Sequence, residues 1–116
     1  MGEVDTGYGY PHMLTLAGAD VHFYEEDGDY QGDWVAKVTW NGTTGWVAGG
    51  YGSCSGCDEY QSITDWGNSK EDVKKELIEA GRMLLGGIRT AEETITGLDA
   101  GWYGDLREVI KREEGI

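Results

Sequence analysis

Both cysteines of the chain lie in one short segment, Gly49-Gly50-Tyr51-Gly52-Ser53-Cys54-Ser55-Gly56-Cys57-Asp58. A Cys-x-x-Cys pair has several chemistries open to it. It can give two of the four ligands of a tetrahedral zinc site. The others would come from His12 and His22, the only two histidines, or from Asp58. The spacing of His12 and His22 does not fit the His-x₃₋₅-His pattern, so they would have to meet through tertiary folding.

The pair can also be redox-active. Ser55, followed by Asp58, can open a helix through Tyr60, Ile63 and Trp66, and a helix N-terminus favours the thiolate. Against this, Asp58 and Glu59 oppose a thiolate, and the segment follows a hairpin strand instead of sitting in a parallel βαβ unit. A cysteine nucleophile with His12 or His22 as its base has no supporting spacing. The remaining role is structural: Ser, Cys and Gly pack a tightly wound turn, and the thiols act as small buried hydrophobes. The structural role ranks first, metal binding second, and redox or nucleophilic chemistry below both.

A second candidate is the acidic stretch from Glu25 to Asp33. Asp27, Asp29, Gln31 and Asp33 alternate as oxygen ligands of a calcium loop would, but the sixth-position glycine and the flanking helices are missing. A solvated turn between strands fits better. The glycine-rich segment is no phosphate cradle, because it lacks a Gly-Lys-Ser/Thr ending and runs into acids.

The elements that must position these residues divide the chain in two. Val21-His22-Phe23-Tyr24 reads as a short strand. In the next, Trp34, Ala36, Val38 and Trp40 share one face, and Val35, Lys37 and Thr39 the other. Asn41-Gly42-Thr43-Thr44-Gly45 supplies a hairpin loop, and Trp46-Val47-Ala48 the return strand. Ser69 caps a helix carrying Val73, Leu77, Ala80, Leu84 and Ile88, with Gly86-Gly87 ending or loosening it. Thr90-Ala91-Glu92-Glu93 is a capping box, and Leu106, Val109 and Ile110 mark a last helix running into Lys111-Arg112. The expected fold is α+β: a small antiparallel sheet of about three strands in the N-terminal half, packed on one face against C-terminal helices. The 116 residues make one domain, sheet-rich over 13–52, with the Cys-x-x-Cys loop at 49–58 and helices over 58–114.

Charge follows the same division. The net charge is −13. Residues 1–68 hold eleven acids and one base, Lys37, while residues 69–116 hold eleven acids and eight bases. Thirteen of the 20 glycines and eleven of the thirteen aromatics also fall in the first part. Such a field argues against nucleic acid or an anionic membrane as direct partner. No apolar run reaches the length of a membrane span, and Met1-Gly2-Glu3-Val4-Asp5 has no basic region before an apolar stretch. The expectation is a cytoplasmic chain with reduced thiols.

Two segments, Tyr30-Gln31-Gly32-Asp33-Trp34-Val35-Ala36 and Gly49 through Asp58, resemble a group of small proteins encoded by bacteriophages and prophages. The resemblance spans about residues 24–60. It implies a phage accessory protein in the cytoplasm of an infected bacterium, and it transfers no catalytic or binding residue.

Without a catalytic constellation, the first functional expectation is binding. An acidic protein would inhibit a host nucleic-acid-processing or defence protein through that protein's basic surface, by nucleic-acid mimicry of the anti-CRISPR or anti-restriction type. Its face would be Glu25, Glu26, Asp27, Asp29 and Asp33, with Trp34, Trp40 and Trp46 as aromatic anchors. No cofactor is expected, and the aromatic area of so small a sheet admits a homodimer. The alternative is a metal or redox domain, with zinc held by Cys54, Cys57, His12 and His22. A third is a sponge for a signalling nucleotide, using loop amides with Arg82, Arg89 and Arg107 against the overall field.

Overall fold

The structure, a computed structural model, describes residues 9–26, 32–51, 63–64, 69–98 and 106–116. The first described element is a helix, α1 (Gly9–Leu16), which takes in residues 13–16 of the part expected to be sheet-rich. Pro11 is tolerated because it falls in the first turn, where its missing N–H has no intrahelical partner to lose. The helix closes in a Schellman motif. Gly18 N–H donates to Thr15 at 3.0 Å and Ala19 N–H to Leu14 at 3.1 Å, with Gly18 at φ +101°.

Three strands follow, β1 (Asp20–Glu26), β2 (Gly32–Trp40) and β3 (Thr43–Tyr51). They form an antiparallel meander in the order β1-β2-β3. A two-residue turn joins β2 to β3. Asn41 and Gly42 have φ of 51° and 79°, the paired positive values whose twist matches the flanking strands. The turn is shorter than expected, since Thr43 already pairs with Trp40. The strands also run further than the sequence reading has them. Glu25 and Glu26 belong to β1 and pair with Val35 and Trp34, so they are not turn residues. Gly49 to Tyr51 belong to β3 and not to a loop. A bulge at His22 shifts the register between Val21 and Phe23.

Residues 63–64 are helical, and three longer helices follow: α2 (Lys70–Leu85), α3 (Ala91–Gly97) and α4 (Leu106–Glu114). The two expected caps are present. Ser69 accepts the Asp72 N–H, and Thr90 and Glu93 form a reciprocal capping box. Ile88 lies beyond the end of α2, after Gly86-Gly87.

The architecture is α+β, as the order of elements implied, but the helices cover both faces of the sheet. On one face Trp34, Ala36, Val38 and Val47 pack with Tyr10, Met13, Leu14 and Ala17 of the α1 segment and with Leu77, Ala80 and Leu85 of α2. On the other, Val35 and Trp46 pack with Leu106 and Ile110 of α4, flanked by Phe23, Ala91, Ile95, Leu98 and Val109. The expected two-layer arrangement is corrected to three layers. The reason lies in β2 and β3, whose alternation puts large apolar side chains on each side, and neither set can be left facing water.

Candidate functional site

The acids singled out by the sequence fall at the end of the sheet where β1 finishes and β2 starts. Glu25, Glu26 and Asp33 are all exposed. They do not share one face. Glu25 is opposite Val35, and Asp33 opposite Gly50, on the α4 side, whereas Glu26 is opposite Trp34 on the α1–α2 side. The acids therefore wrap the corner of the sheet. Glu26 accepts a hydrogen bond from the Tyr24 hydroxyl at 2.8 Å. Asp27 and Asp29 lie outside the described residues.

Two of the three tryptophans expected to anchor a partner cannot do so. Trp34 is 0% exposed and Trp46 1% exposed. They are the largest side chains of the two cores, and in so short a chain such side chains are the main source of burial. Trp40 is half-buried, and its indole N–H donates to the Ala17 carbonyl at 3.3 Å. It lies six residues along β2 from Trp34, about 20 Å away at the usual strand rise. The acids and Trp40 therefore occupy opposite ends of β2.

The histidines are likewise kept apart. His12 lines a groove between α1 and α2. His22, at the bulge, is 2.8 Å from the Thr39 hydroxyl, and Thr39 lies on the face that carries Lys37 and Val35. Thr39 in turn hydrogen-bonds Thr44 at 2.7 Å. His12 lies on the α1 side of the sheet and His22 bonds on the other, so the sheet stands between them. Among the described residues no three His, Cys, Asp or Glu side chains gather as a metal site would need. Cys54 and Cys57 fall outside the described residues.

The arginines of the nucleotide-sponge reading do not converge on a cavity of about 300 Å³ where β3, the end of α2 and α3 meet. Arg89 lines it with Trp46, Met83 and Thr94, but Arg82 and Arg107 do not. Arg89 is also held by its backbone, exchanging two hydrogen bonds with Trp46 at 2.8 and 3.0 Å.

One polar cluster was not anticipated. Glu114, near the end of α4, accepts the Trp46 indole N–H at 2.6 Å and pairs with Lys37 at 3.1 Å. The indole bond holds the Glu114 carboxyl below its usual range, helped by Lys37 and opposed by burial. Glu114 sits at the negative end of its helix, where a carboxylate is unfavourable, and the sheet supplies the compensation through Lys37 and Trp46. Glu93 is also held low, chiefly by the Thr90 backbone N–H of the capping box.

Among the described residues no helix is long and apolar enough to cross a membrane. The chain matches no protein-family model, no curated protein and no solved structure.

Proposed function

We propose that this protein works by binding, with the acidic corner of its sheet occupying a basic surface on a host protein in place of nucleic acid. A nucleic-acid-processing or defence protein carries a surface of the required sign. The observation that supports this reading is the fate of Lys37. It is the only base among residues 1–68, and it is drawn into the pair with Glu114. Residues 1–68, which carry Glu25, Glu26 and Asp33, hold no other Lys or Arg, so the field at this corner is strongly negative. Exposed carboxylates gathered in this way speed and select encounters with a basic partner more than they hold it, so the contact should depend strongly on salt. Since Trp34 and Trp46 belong to the core, the recognition surface is the carboxylates and the strand ends that carry them.

The test is capture of partners from a bacterial lysate at low and high salt, then titration of the identified partner with the Glu25→Gln, Glu26→Gln, Asp33→Asn triple variant. At ~0.15 M salt the variant is expected to bind at least about tenfold more weakly and with a shallower salt dependence. A partner whose binding ignores both salt and the triple variant rejects the reading.

A further inference from the structure

A groove of about 600 Å³ runs between α1 and the first turns of α2, lined by His12, Leu16, Thr64, Ser69, Lys70, Val73, Lys74 and Leu77. Its volume lies within the span of small-molecule sites, about 300–1,000 Å³. The α2 side is a single stripe. At 3.6 residues per turn, positions 70, 73, 74 and 77 fall within an arc of about 100°, while Lys75 and Arg82 fall on the far side of the helix. Leu16, Val73 and Leu77 make the floor apolar, and Lys70 and Lys74 stand at the edge.

The charges here run against those of the rest of the chain. The protein carries 22 acids, yet no Asp or Glu is among the described residues that line the groove. Neither Lys70 nor Lys74 makes an ion pair among the described residues. Their placement is also unfavourable for the helix. Two like charges four residues apart repel, and Lys70 in the first turn opposes the helix dipole that Glu71 and Asp72 beside it favour. An anion seated between them would relieve both effects.

We propose that this groove binds a small amphipathic anion, an acyl chain or comparable apolar body carrying one carboxylate. The apolar part lies along Leu16, Val73 and Leu77, and the carboxylate meets Lys70 and Lys74. The floor disfavours a bare inorganic anion, which would have nothing to bury there. The overall charge of −13 disfavours a polyanion more than a single charge. A basic peptide would face the two lysines. The site lies away from the acidic corner of the sheet and does not depend on its role.

Calorimetric titration of the whole protein with decanoate tests this, with decanol, acetate and decyltrimethylammonium as comparators. The expected result is one decanoate per chain, weaker binding of decanol, and none of acetate or the cation. A Lys70→Gln, Lys74→Gln variant should bind decanoate at least tenfold more weakly, and a Lys75→Gln, Arg82→Gln variant of equal charge change should shift it less than twofold. Should the first variant lower the unfolding midpoint, Lys70→Arg, Lys74→Arg keeps the charge and should restore binding. The proposal is overturned if decanoate does not bind saturably, if the cation binds as well, or if both Gln pairs weaken binding equally. It is also overturned if sedimentation shows a dimer that decanoate dissociates, since the groove would then belong to a second copy of the chain.

Discussion

Trp34 and Trp46 are equally buried on opposite faces of the same sheet, yet they are held by different physics. Trp34 is fixed by shape. Tyr10 stacks on it with centroids 4.8 Å apart, Tyr24 leans on it at 5.8 Å, and Gly49 leaves room for the ring, since a Cβ there would sit 2.8 Å from it. Its indole N–H has no hydrogen-bond partner among the described residues. Trp46 meets Phe23 edge-on at 5.9 Å, and its N–H is bound to a carboxylate that also holds Lys37. One face is thus closed by aromatic packing, the other by packing plus a polar latch from α4. The first should be indifferent to pH and the second should not. The latch also couples the helical half, whose charges are nearly balanced, to the acidic half, at the one base the acidic half contains.

The largest expected effect comes from emptying the face that has no latch. Trp34→Ala removes the centre of the aromatic stack and leaves a cavity, and such changes cost about 3–5 kcal/mol. Urea unfolding at neutral pH should show that loss, while the acid dependence of stability stays as in the parent. A small loss would mean that Tyr10 and Tyr24 collapse into the space and that the stack is not what holds α1 to the sheet.

A smaller but sharper contrast follows from Phe at each position. The two substitutions remove similar volume, but they differ in the N–H. Trp34→Phe deletes a buried donor with no partner among the described residues; burying such a donor costs about 1–3 kcal/mol, so part of the packing loss is offset. Trp46→Phe deletes a donor bonded to a charged acceptor, a contribution of about 1.5–3 kcal/mol before allowance for partial solvent access. Trp46→Phe should therefore be the more destabilising by about 2 kcal/mol in the same urea experiment. Equal losses would remove the distinction between the faces.

The contrast also explains what the sequence could disclose. Alternation along Trp34–Trp40, the Asn41-Gly42 turn, the Ser69 cap and the Thr90–Glu93 box are local signals, and local geometry realises each of them. The second covered face was legible too, in Val35, Phe23 and Trp46, once both sides of β2 and β3 are weighed. Helix α1 has the helical spacing in Tyr10, Met13, Leu14 and Ala17, but Gly9 and Pro11 disguise it. Lys70, Val73, Lys74 and Leu77 form a readable stripe, although its other wall depends on α1. Burial of Trp34 and Trp46 was not readable, since an aromatic on a strand suits a core or a contact surface equally well. The latch was out of reach for a different reason: Trp46 and Glu114 are 68 positions apart, and nothing in the intervening sequence pairs them.

The smallest expected effect tests the latch by itself. The Glu114 carboxyl is held below its ordinary value of 4.5, first by the Trp46 N–H and then by Lys37. A carboxylate whose folded-state pKa is lowered stabilises the fold fully above its unfolded value, and that contribution is lost as pH falls through the folded value. Glu114→Gln keeps a carbonyl for the indole N–H and removes the charge. At neutral pH the variant should be less stable by about 1 kcal/mol, a modest figure because the pair is partly solvated. The gap should close as pH falls below 4.5. Glu93, whose carboxyl is also held low, keeps its own acid dependence in both proteins and cancels in the difference. Thermal or urea unfolding of the two proteins across this acid range gives that difference directly. If it stays flat with pH, Glu114 does not act as a charged acceptor, and both tryptophans are held by packing alone.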